Sequence, residues 1–76
     1  MGLEGAQALA RALPGSLVTS LDVSANNLGV ASVKALCAAV EQSPQIMALD
    51  ITRNTGRSVE LLLVDHILAV RRRRLV

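Results

Sequence analysis

Val18-Thr19-Ser20-Leu21-Asp22-Val23-Ser24-Ala25-Asn26-Asn27-Leu28 is followed, 28 residues on, by Ile46-Met47-Ala48-Leu49-Asp50-Ile51-Thr52-Arg53-Asn54-Thr55-Gly56. The shared pattern is an aliphatic residue, two variable ones, Leu, Asp, an aliphatic, two small or polar residues, then Asn. Val18 matches Ile46, Leu21 matches Leu49, Asp22 matches Asp50, Val23 matches Ile51 and Asn26 matches Asn54. Five coincidences at one offset mark an internal repeat. Leu21 and Val23 alternate with polar residues, as do Leu49 and Ile51, which is the period of a strand with one buried face. The pattern predicts strands over 18–23 and 46–51, with Val18, Leu21 and Val23 pointing inward.

The intervening segments have the other period. Val33, Leu36, Cys37 and Val40 fall at i, i+3, i+4 and i+7, one face of a helix. The Ala-rich interval favours that helix, and Pro44 cannot continue it. A helix is predicted over 29–42. Leu9 and Leu13 place another over 3–13, stopped by Pro14-Gly15-Ser16. Leu61, Val64, Ile67 and Leu68 place a third over 58–72. The order helix, strand, helix, strand, helix gives an α/β fold in one domain, 1–76. A helical crossover between consecutive strands makes them parallel, with Asn26 and Asn54 at equivalent turns.

Composition narrows the function. The 76 residues are 51% hydrophobic, too apolar for a disordered segment, and contain no Phe, Tyr or Trp. Without aromatics there is no stacking platform for single-stranded nucleic acid and no cage for a cationic ligand. Cys37 is the only cysteine, which excludes an internal disulfide and a multi-cysteine metal site. Neither a cofactor nor a metal is expected. The net charge of +2 is uneven. Arg71, Arg72, Arg73 and Arg74 form a basic tail over 71–76, and the rest of the chain is mildly acidic. No basic cluster precedes an apolar run near Met1, and the most apolar stretch, 61–70, is half the length of a membrane span. The expectation is an intracellular, cytoplasmic chain that engages no membrane.

The residues quoted above resemble the leucine-rich repeats of the ribonuclease-inhibitor-like subclass. That signature, L-x-x-L-x-L-x-x-N-x-L followed by a helix, reads here as Val18, Leu21, Val23, Asn26 and Leu28, then Ile46, Leu49, Ile51 and Asn54. The second copy departs from it at Gly56, where the final Leu is due. The resemblance implies two units of a leucine-rich repeat horseshoe, with strands on the concave side and helices on the convex side. It also implies a protein partner on the concave face. Such arrays need about three units or more for stability, so the expectation is a fragment of a longer one.

Strand alternation assigns the concave face to Ser20, Asp22 and Ser24 in the first copy and Ala48, Asp50 and Thr52 in the second, flanked by Arg53. Asn26 and Asn54 are read as a turn-supporting ladder, because Asn side chains bond backbone groups where a chain leaves a strand. Catalysis is not expected. Asp65 and His66 are sequence neighbours, which do not face each other on a helix. Asp22 and Asp50 would stand side by side on an open sheet with no pocket to tune them. Cys37 is read as a small core hydrophobe. The arginine run reads first as a basic helix terminus complementing the helix dipole. A second reading makes it an anion contact in a nucleic-acid or ribonucleoprotein component. The function expected first is a non-enzymatic protein-interaction scaffold with no small-molecule substrate.

Overall fold

Helices alternate with very short strands in a computed structural model that describes residues 2–54 and 59–74. The elements are α1 (Leu3–Ala12), a 3-10 turn (Leu13–Gly15), β1 (Ser20–Asp22), α2 (Val30–Glu41), β2 (Ala48–Asp50) and α3 (Glu60–Arg73). Pro14 lies inside the 3-10 turn and ends α1 one residue earlier than the apolar period suggests. The predicted start of the third helix at Ser58, the departure at Gly56 and the end of the basic tail at Leu75-Val76 lie outside the described residues.

β1 and β2 form a two-stranded parallel sheet in which Ser20 pairs with Ala48, Leu21 with Leu49 and Asp22 with Asp50. The structural register is therefore the 28-residue sequence offset. Each strand is three residues long, shorter than the aliphatic pattern, but the bonding continues past both ends. Met47 N–H donates to Thr19 O at 2.7 Å, Val23 N–H to Asp50 O at 2.8 Å and Ala25 N–H to Thr52 O at 2.9 Å. Val18 corrects one expectation. It is 37% exposed, whereas its counterpart Ile46 is wholly buried in the core cluster. Val18 precedes the first ladder bond, on a strand with a neighbour on one side only.

One core joins all the layers. It contains Ala6 and Leu13 from the first helix and its turn, Val23 and Leu28 from the first strand and its loop, and Ile46 ahead of β2. Val33, Leu36, Cys37 and Val40 enter it from α2, Val64 and Leu68 from α3. The helical periods located these side chains correctly. α2 packs between α1 and α3 and is buried along its inner side.

Cys37 is 1% exposed, and burial pushes its thiol up to about 11, with Glu60, Glu41 and Asp65 adding to the rise. The thiolate is the reactive form, and at pH 8 only about one thiol in a thousand would be ionised. Native protein should therefore react very slowly with a disulfide reagent at pH 8, and one thiol should titrate at once in denaturant. Rapid labelling of the native chain would show that Cys37 is not enclosed.

Candidate functional site

The two strands and the turns after them form a single surface. Ser20, Asp22, Asp50, Thr52 and Arg53 are exposed on it, and Ser24 and Ala48 are half-buried. Leu21 and Leu49 turn the other way and pack against the core. The sequence-assigned concave residues are thus brought together by the sheet register. A shallow depression of about 210 Å³ between α1 and α2 lies away from it, lined by Ala10, Pro14, Ala35 and Ala39.

The aspartates do more than present charge. Asp22 Oδ1 accepts the Ser24 N–H at 2.9 Å, and Asp50 Oδ1 accepts the Thr52 N–H at 3.0 Å and the Thr52 hydroxyl at 2.7 Å. Each Asp closes the turn that ends its own strand, an Asx-type contact. The same Asp-x-Ser/Thr geometry recurs in both copies. The backbone recurs too, since Ala25 and Arg53, 28 residues apart, both hold positive φ, 56° and 58°. That left-handed conformation is uncommon for non-glycine residues. It turns the chain sharply away from each strand.

The Ser24 hydroxyl and N–H hold the Asp22 carboxyl below its ordinary 3.8, against a weaker upward push from desolvation, and the Arg53 charge adds a smaller lowering. A depressed folded-state pKa contributes stability above the unfolded value, and that contribution is lost as pH falls through the folded one. Asp22→Asn keeps an oxygen acceptor for Ser24 and removes the titration. The urea midpoint of the unaltered protein should therefore fall more steeply than that of the variant as pH drops below 3.8. Parallel acid profiles would dismiss the contact.

Among the described residues, Asn54 has the most connected side chain of the surface. Its Oδ1 accepts the N–H of Asn26 at 3.0 Å and of Leu28 at 2.8 Å, both in the turn of the first copy. Its Nδ2 donates to Val23 O at 3.0 Å, also in the first copy, and to Ile51 O at 2.9 Å in its own. Asn26 donates to Ser24 O at 3.0 Å within its own turn. The ladder is directional, and the second Asn reaches back to hold the first turn.

The arginine run does not form a free tail. Arg71, Arg72 and Arg73 are the last turn of α3. The Arg71 guanidinium donates to Val40 O, Glu41 O, Ser43 O and Ile46 O at 2.9–3.3 Å. Those carbonyls belong to the end of α2 and the loop entering β2, where Val40 O and Ser43 O also accept the N–H groups of Ser43 and Ile46. Arg72 donates to Met47 O at 2.9 Å. Arg73 and Arg74 are exposed. Gln45 performs a related task one layer earlier, with Nε2 donating to Leu13 O at 2.9 Å. Sequence reasoning missed both carbonyl clamps, because their partners lie about 30 residues away. One signal was present in the helical period. Arg71 follows Val64 by seven residues and Leu68 by three, so it continues the face of α3 that enters the core.

Among the described residues no group of three or more His, Cys, Asp or Glu is placed to hold a metal ion, and no helix is long and apolar enough to cross a membrane. No protein-family model, no curated protein and no solved structure matches the chain.

Proposed function

We propose that this chain is a pair of leucine-rich repeats of the ribonuclease-inhibitor-like type, acting as a non-enzymatic protein-binding module. The observation that carries the repeat reading is the in-register parallel pairing of Leu21 with Leu49 and Asp22 with Asp50, tied by the Asn54 side chain. Identical turns at a fixed spacing are what a stacked solenoid requires, because each unit buries its apolar face on the next.

The binding reading rests on the exposed strand face. Ser20, Asp22, Asp50 and Thr52 form an exposed polar patch around the half-buried Ala48, with Arg53 at its margin. Two aspartates in register repel each other by a few tenths of a kcal/mol, so the face favours a partner that brings Lys or Arg. Rim charges of this kind raise the on-rate and orient the encounter more than they hold it. A photo-crosslinking residue at Ala48 tests the assignment against one at Ala31 on the outer side of α2. The reading expects a defined protein adduct from Ala48, weakened by Asp22→Asn with Asp50→Asn, and none from Ala31. An adduct from Ala31 alone, or one indifferent to the double change, would remove the strand face from consideration.

A further inference from the structure

The two copies share a backbone pattern but differ in what covers them. Asn54 and Asn26 hold their own turns alike, each with Nδ2 donating to the carbonyl two residues back, Thr52 O at 3.3 Å and Ser24 O at 3.0 Å. Asn54 Oδ1 then accepts two N–H groups of the first turn, from Asn26 and Leu28. Asn26 Oδ1 accepts none among the described residues. Ile46 is wholly buried, while its counterpart Val18 is 37% exposed and follows Leu17 at 96%. The backbone shows the same gap. In a parallel pair, alternate residues direct their N–H and C=O groups to the same neighbour. Thr19, Val23 and Ala25 bond to the second copy, so Ser20 and Asp22, which alternate with them, direct theirs to the outer side of β1. The helices stack in the order α1, α2, α3 over the strands β1 and β2. α1 therefore lies toward that same outer side of β1.

We propose that the outer edge of β1 receives one extended segment of a partner protein, added in parallel as a further strand. The segment stands to β1 as β1 stands to β2, and the turn after it gives two N–H groups to Asn26 Oδ1. Strand addition of this kind draws affinity from main-chain bonds and specificity from alternate side chains. The topology excludes a second copy of this chain in that register. Each of its strands is followed by a helix, β1 by α2 and β2 by α3. In a right-handed unit such as β1–α2–β2 that helix lies on the side of the next strand. Set beside β1, either strand would bring its helix into the space that α1 fills. The partner segment therefore carries no helix after its turn. Its side chains follow from what they meet. Aliphatic residues stand beside Val18, Leu21 and Val23, and Lys or Arg stands beside Asp22, which has Asp50 on its other side. The proposal rests on the strand register and not on the strand-face reading, and it stands whether or not that face binds.

The probe is a fluorescent synthetic peptide of residues 46–56 with Asp50→Lys, a strand and turn without the helix that follows them. Anisotropy reads its binding to the 76-residue chain up to about 1 mM. The expected result is saturable binding, with the Ser20 and Asp22 N–H groups of the chain gaining protection from hydrogen exchange. Moving the observed ladder over by one strand makes Leu49 of the peptide the donor to Ser20 O, and Ile51 of the peptide the donor to Asp22 O. N-methylation at Leu49 should therefore weaken binding by about tenfold or more, and N-methylation at Ala48, whose N–H points away from β1, should leave it unchanged. The Asn26→Ala chain should bind the peptide about tenfold more weakly. The N-methyl peptides need no variant of the chain and decide the matter should Asn26→Ala fail to fold. Absence of binding at about 1 mM overturns the proposal, as does an equal loss from the two N-methyl peptides. Protection confined to Leu49 and Ile51 of the chain would place the segment on the outer edge of β2 and overturn it as well.

Discussion

Asn54→Ala should cost about 3 kcal/mol. The substitution removes the acceptor of two backbone N–H groups, Asn26 and Leu28, and the donor to Val23 O and Ile51 O. Each part-buried polar group that loses its partner costs about 1–3 kcal/mol, partly recovered by water at this half-buried site. A chain of this length is stable by roughly 4–11 kcal/mol in all. The thermal midpoint should fall by about 12–24 °C. Asn26→Ala provides the control, because among the described residues that side chain bonds within its own turn, to Ser24 O. Its loss should cost about 1 kcal/mol. Asn54→Asp keeps the acceptor but turns a carboxylate toward carbonyl oxygens, so it should not rescue. Equal losses at Asn26 and Asn54 would mean that the ladder has no direction.

Arg71→Ala should be nearly as damaging, by about 2–3 kcal/mol. The guanidinium satisfies carbonyls at the end of α2 and before β2, and its positive charge sits at the negative end of the α2 dipole. Arg71→Lys retains the charge but not the planar fork, so it should recover half of the loss or less. Arg73→Ala and Arg74→Ala, at exposed positions, should change stability by less than about 0.5 kcal/mol. Chemical denaturation of the four variants separates the positions. Equal effects across the run would return it to the status of a solvated tail.

The arginine run shows what a sequence conceals. The four residues are alike in sequence, yet the fold gives Arg71 four carbonyls, Arg72 one, and leaves Arg73 and Arg74 exposed. Those partners are set by how α3 docks on α2, which local pattern does not encode. The strand register was legible because it equals a sequence offset. The helices were legible because Leu36, Cys37, Val64 and Leu68 keep a helical period. Val18 departs from its expected burial because the same residue pattern meets different neighbours in the two copies. The polar face was legible by alternation at Ser20, Asp22 and Asp50. The bracing of the turns by Asp22 and Asp50 was not, since it depends on the left-handed residues Ala25 and Arg53.

The claim on which the rest depends is that two copies of one pattern stack in parallel at an offset of 28, with Asn54 binding the first turn. Solution NMR reads this directly through nuclear Overhauser contacts between the strands. The expected contacts join Ser20 with Ala48, Leu21 with Leu49 and Asp22 with Asp50, in the same chain direction, together with contacts from the Asn54 side-chain amide to Val23. Contacts that pair Ser20 with Asp50 and Asp22 with Ala48 would reveal antiparallel strands and contradict it.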